Sequence, residues 1–188
     1  TDGVNFEIDA TGGGTMSTEI PNARVVFGGG HEANVTVTGG TYVSDWAFVL
    51  WGNNQVEGEP VLSFSNVTVN ATSIGMWLSY GAIDSVNIVD SEINANLAVY
   101  LATAQNAEIT NCEINAITSG IEIKAGTAKI SDCRISSENF LADDTVGMSQ
   151  SGGSEAPITI NNGYCNSAQV TSCLLYTSPS PRDISGSR

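Results

Sequence analysis

An eight-residue pattern occurs three times between Val86 and Ile135, and it constrains the fold more than any other feature of the chain. Its copies are Val86-Asn87-Ile88-Val89-Asp90-Ser91-Glu92-Ile93, Ala107-Glu108-Ile109-Thr110-Asn111-Cys112-Glu113-Ile114 and Ala128-Lys129-Ile130-Ser131-Asp132-Cys133-Arg134-Ile135, with corresponding positions 21 residues apart. Self-similarity at a fixed period of this size marks a stacked repeat. Apolar or small residues fall at the first, third, sixth and eighth places. Period-2 alternation means strand with alternate side chains inward, so the break at the fourth and fifth places separates two short strands. Asp90, Asn111 and Asp132 stand at that break. These residue types tolerate the left-handed backbone and bond their own main chain, as a sharp bend requires.

A further apolar segment recurs ahead of the later copies, as Val99-Tyr100-Leu101-Ala102 and Gly120-Ile121-Glu122-Ile123. Each turn therefore holds three short strands. The predicted fold is all-β, a single parallel β-helix with a period of about 21 residues whose coils stack at roughly 4.8 Å. Like residues then form columns: Ile88, Ile109 and Ile130; Ile93, Ile114 and Ile135; Ser91, Cys112 and Cys133, with Asp90, Asn111 and Asp132 at the turn. The repeat, read as Ala/Val-x-Ile-x-Asn-Cys/Ser-x-Ile, resembles the coils of the pectate-lyase-like (pectin lyase fold) superfamily. The resemblance covers most of residues 23 to 172 and implies right-handed winding. It is specific for fold and not for activity.

The helix is expected over residues 1–172, with an irregular start at 1–22. Val25-Val26-Phe27 begins the regular pattern. In the next coil Val35 and Val37 point inward, Gly39-Gly40 takes the corner and Tyr42 the place of Ile93, with Phe48 to Trp51 as third strand. Asn53 to Pro60 reads as a loop, and Val67-Thr68-Val69 as the opening of another coil whose third strand is Gly75-Met76-Trp77-Leu78. Residues 136–156 read as a long polar excursion, after which coils resume at Ile158-Thr159-Ile160 and Val170. The last stretch, 173–188, resembles a translated sequencing adapter and is expected to be a disordered, non-native tail. With no initiator Met, the chain reads as an internal fragment of a longer protein.

Setting aside Arg182, Arg188 and Asp183 of the tail leaves 4 basic and 19 acidic residues, a net charge of −15. Such a surface repels phosphates and anionic headgroups, which argues against nucleic acid and lipid partners. No run of 18 apolar residues is present, so no membrane insertion is expected. Acidity of this kind keeps an extracellular surface soluble.

The candidate sites are few. Cys112 and Cys133 read as buried thiols stacked one coil apart, with Cys165 in a loop. Glu108 with Lys129, and Glu113 with Arg134, read as outward pairs, while Glu92 over Glu113 is a like-charge contact. Trp46, Trp51, Trp77 and Tyr80 gather near the third strands, where ring faces could meet a glycan. Asn34-Val-Thr, Asn66-Val-Thr and Asn70-Ala-Thr match the glycosylation pattern and read as coincidence in a chain rich in Asn and Thr.

The family resemblance implies, for its enzymes, a calcium cluster with a basic proton acceptor or several Asp with Gly-His-Gly. Here Asp143-Asp144 is the acidic doublet of the excursion, and His31 sits in Gly30-His31-Glu32. No catalytic or metal residues are therefore assigned, and no cofactor is expected, with calcium entering only if the chain is enzymatic. The expected function is a non-enzymatic β-helix segment of a large secreted or cell-surface bacterial protein, a rigid stalk or adhesin-like surface. Its expected partners are a polysaccharide or host-surface glycan and neighbouring coils of the full-length chain. The alternative is a truncated polysaccharide lyase or glycoside hydrolase of the same fold.

Overall fold

A computed structural model describes residues 5–29, 34–51, 60–79, 83–101, 104–123, 127–137, 148–150, 158–161 and 164–165. Among them there are strands and no helix. In chain order the strands are β1 (Phe6–Ser17), β2 (Arg24–Gly29), β3 (Val35–Trp51), β4 (Val61–Ser65), β5 (Thr68–Ser79), β6 (Ile83–Val89) and β7 (Glu92–Leu101). They continue as β8 (Ala104–Thr110), β9 (Glu113–Ile123), β10 (Thr127–Ser131), β11 (Arg134–Ser137), β12 (Met148–Gln150), β13 (Ile158–Asn161) and β14 (Tyr164–Cys165). Every pairing is parallel, and the chain is a parallel β-solenoid of about 4 turns.

Three ladders run along the axis. In the first, Val37, Phe64, Ile88, Ile109, Ile130 and Ile160 lie in register, as do Val35, Leu62, Val86, Ala107, Ala128 and Ile158. In the second, Tyr42, Val69, Ile93, Ile114 and Ile135 form one column. The third carries Phe48, Met76, Val99 and Ile121. These columns close on each other as the core, with Ile88, Ile93, Ile109, Ile114 and Ile130 all fully buried. The second and third strands are not separate pieces as expected. They run as one strand with a register shift, between Asn70 and Ile74 and again between Ala95 and Leu97, so a bulge bends the sheet there.

The period also differs from the expected 21. Successive first-ladder positions Val35, Leu62, Val86, Ala107 and Ala128 give steps of 27, 24, 21 and 21 residues, and the period averages about 24. Only the later coils share one length, because the earlier ones carry extra residues in their connections and at the bulge. For the same reason Val67-Thr68-Val69 does not open a coil. Val61–Ser65 does, with Leu62 and Phe64 inward, and Val67 follows the corner. Of the loop read from Asn53 to Pro60, only Pro60 is described, and it is buried.

The two ends are more regular than the sequence suggested. β1 pairs with β3 along its length, and the Gly12-Gly13-Gly14 break falls in the register shift between Ala10 and Thr15. The stretch from Ser136 holds the end of β11 and the third-ladder strand β12, in which Met148 lies over Ile121. Cys165, read as a loop residue, stands in β14 in register with Ile135. Val170, Asp143, Asp144, His31 and residues 173–188 lie outside the described residues.

Asn66, Asp90, Asn111 and Asp132 all have positive φ, between 51° and 55°, and Gly39 and Gly40 hold the equivalent corner at 72° and 88°. The left-handed backbone turns the chain between the first and second ladders. Main-chain bonds tie each corner to the next coil, Asp90 N–H to Thr110 O at 3.1 Å and Asn111 N–H to Ser131 O at 3.0 Å. We expect Asn111→Ala to lower the unfolding free energy by about 1–2 kcal/mol, since alanine meets the full left-handed penalty. Asn111→Gly is expected to retain most of that stability, because glycine has no such penalty. Urea denaturation of the two variants checks the difference. Equal losses would exclude the corner conformation as the cause.

Candidate functional site

Behind each corner residue comes a small inward side chain: Val67, Ser91, Cys112 and Cys133, all buried. Ser91 Oγ accepts from Val67 N–H at 3.2 Å and donates to Val89 O at 2.7 Å. The thiols repeat the scheme. Cys112 Sγ donates to Thr110 O at 3.2 Å, Cys133 Sγ donates to Ser131 O at 3.1 Å, and Cys112 N–H donates to Cys133 Sγ at 3.4 Å. Both cysteines are unpaired by any disulfide. The hydrogen bond between the thiols, and then burial, pushes the Cys112 thiol well above its ordinary range. The same bond holds the Cys133 thiol low, helped by the Cys112 and Ser131 main chain. One proton is thus shared within the pair, and Cys133 is the sulfur that releases first.

A groove of about 520 Å3 opens over this corner, lined by Asp90, Glu92, Asn111, Cys112, Glu113, Asp132 and Arg134 among others. Asn111 Nδ2 donates to Asp90 Oδ1 at 2.6 Å. The expected ion pairs are present, Lys129 with Glu108 at 3.5 Å and Arg134 with Glu113 at 3.6 Å. Both are about half exposed, so each contributes at most about 1 kcal/mol. Glu92 lies in register with Glu113. Among the described residues no three His, Cys, Asp or Glu side chains are grouped to hold a metal ion, whereas calcium takes six to eight oxygens.

The second ladder carries a feature that the eight-residue pattern did not include. Asn94 Nδ2 donates to Asn70 Oδ1 and Asn115 Nδ2 to Asn94 Oδ1, both at 2.9 Å, and Ser136 Oγ donates to Asn115 Oδ1 at 2.8 Å. The signal was present one place beyond the repeat, in Ile93-Asn94, Ile114-Asn115 and Ile135-Ser136. This amide row edges a groove of about 760 Å3 floored by Ala71, Ala95 and Ala116. At its end Asp45 accepts from Asn22 N–H at 2.7 Å, Thr72 Oγ1 at 2.6 Å and Ser73 Oγ. These bonds, Ser73 first, hold its carboxyl below the ordinary aspartate range. A lowered folded value means the clasp contributes above the unfolded pKa and is lost as pH falls through the folded one.

Of the four aromatics expected to cluster, the side chains of Trp46 and Trp77 are described, while Tyr80 and the side chain of Trp51 lie outside the described residues. Trp46 and Trp77 have ring centroids 5.9 Å apart. Trp77 stacks on Tyr100 at 4.0 Å with 16° between planes, and Arg24 Cζ lies 5.4 Å from the Trp46 ring. Tyr100 is the member that sequence reading missed, one step along the third ladder from Trp77. Ring faces in this stack turn toward each other along the axis.

Comparison with protein-family models, curated proteins and solved structures finds no match. The class therefore rests on the coil geometry: the chain is an all-parallel β-solenoid. No described helix is long and apolar enough to cross a membrane.

Proposed function

We propose that this chain is a rigid, non-enzymatic rod segment of a larger secreted or cell-surface protein, with the right-handed winding of the pectate-lyase-like superfamily. One observation carries the reading: outward side chains on every face bond to their own kind one coil away. The Asn70-Asn94-Asn115-Ser136 row, the Asp90–Asn111 bond, the Glu108–Lys129 and Glu113–Arg134 pairs and the Trp46-Trp77-Tyr100 stack all run along the axis. Side chains used in this way resist bending and shear between coils. A net charge of −14 favours solubility and disfavours nucleic acid and anionic lipid surfaces. The proposed partner is a neutral surface glycan. The amide-edged groove offers it hydrogen-bonding groups, whereas the stacked aromatics present mostly ring edges.

Single-molecule pulling tests the rod. Unravelling should proceed in steps of roughly 70–90 Å, one coil of 21 to 27 residues at about 3.4 Å each. A featureless, low-force extension would overturn the reading. Release of reducing or unsaturated ends from a polysaccharide panel by the purified chain would favour the truncated lyase or hydrolase instead.

A further inference from the structure

We propose that Cys112 and Cys133 together form a two-coordinate site for a soft monovalent cation, Cu(I) or Ag(I), held between their sulfurs and reached through the acidic corner groove. The two residues occupy one column, one coil apart, and Cys112 N–H reaches Cys133 Sγ at 3.4 Å. Adjacent strands lie roughly 4.8 Å apart. Two metal–thiolate bonds of roughly 2.3 Å placed in line span about 4.6 Å, so a cation fits between the sulfurs without displacing either coil. A disulfide would instead need the sulfurs at about 2.05 Å, which draws the coils out of register.

Ligand chemistry selects the ion. Thiolates are soft donors and favour Cu(I) over harder cations. The corner supplies two sulfurs and no third grouped ligand among the described residues, which suits linear coordination and not the four ligands of zinc. On binding, each S–H bond gives its proton to water and each sulfur forms one bond to the metal. The oxidation state is unchanged and the complex carries one negative charge. Cys112 N–H, already directed at Cys133 Sγ, offsets that charge. Access is provided because Cys112 lines the groove, beside Asp90, Glu92, Glu113 and Asp132 against the single cation Arg134. Clefts lined by one sign of charge raise the local concentration of the opposite ion.

The test uses the full chain carrying Cys165→Ser and Cys173→Ser, titrated anaerobically with Cu(I) against a chromophoric Cu(I) chelator. One Cu(I) per chain is expected, with two sulfur neighbours by X-ray absorption. Cys112→Ser and Cys133→Ser should each weaken binding by at least the roughly 100-fold that even outer-shell changes can cost. Serine suits this column, since Ser91 already occupies it one coil away, and circular dichroism confirms folding of each variant. Ag(I) should raise the unfolding temperature of the parent and leave that of Cys133→Ser unchanged. Absence of bound copper in the parent, retention by the Cys112→Ser/Cys133→Ser double variant, or displacement by calcium would each overturn the site.

Discussion

Phe64→Ala is expected to lower the unfolding free energy by about 3–5 kcal/mol, while Ser63→Ala, one residue away, changes it by less than about 0.5 kcal/mol. Phe64 is 1% exposed and lies in register between Val37 and Ile88. Its ring meets Phe48 edge-on, with centroids 5.2 Å apart, and Phe48 in turn meets Tyr42 at 4.6 Å. These rings span the three ladders, because Phe64 belongs to the first, Tyr42 to the second and Phe48 to the third. Removing the middle of such a packing leaves a cavity that strands fixed by hydrogen bonds on both sides cannot close. Ser63 points the other way. Urea denaturation of the pair therefore tests register directly: a one-residue slip would exchange the two effects. A loss below about 1 kcal/mol for Phe64→Ala, or equal losses at both positions, would show that Leu62 and Phe64 do not face the core.

Phe64 also shows where the sequence was legible. From Val86 onward the coils repeat at a constant 21 residues, and columns such as Ile88, Ile109 and Ile130 follow from alternation alone. Val61 to Asn66 has the same form, two inward apolar residues and then Asn in the left-handed region. It was obscured because its neighbours lie 27 and 24 residues away, and the eye anchors on a fixed period. Connections are free to vary because loop length costs little, whereas register within a ladder is fixed by hydrogen bonds. The same holds for the outer faces. Asp90, Asn111 and Asp132 were readable because a left-handed corner admits few residue types. The Asn94–Asn115 bond and the Asp45 clasp were not, since an outward Asn or Asp carries no periodic signature until the bulge brings its partner alongside. Thr72 and Ser73 meet Asp45 from across just such a shift.

At the corner of β3, Gly39→Ala is expected to lower the unfolding free energy by about 2–4 kcal/mol, combining the left-handed penalty with a main-chain collision. Gly39 has φ of +72°, and a Cβ there would stand 2.5 Å from the carbonyl oxygen of Ala10 and 2.7 Å from its carbon. Neither contact can be relieved by turning a side chain. The oxygen belongs to β1, so the corner must separate from the coil beneath it. Gly13 separates the two contributions. Its φ is +81°, but a Cβ would meet nothing within 4 Å, so Gly13→Ala should cost only the conformational part, about 1–2 kcal/mol. The excess at Gly39 then measures how closely β1 is held against β3. Tyr42 extends the consequence inward. Its buried hydroxyl donates to Gly39 O at 3.1 Å, and its ring heads the Ile93–Ile114 column. Displacing the corner leaves that hydroxyl without its acceptor, a further cost of about 1–3 kcal/mol if no water replaces it. Urea unfolding followed by tyrosine fluorescence reads both effects. Identical losses for Gly39→Ala and Gly13→Ala would mean that the first coil does not pack against the second as the β1–β3 ladder requires.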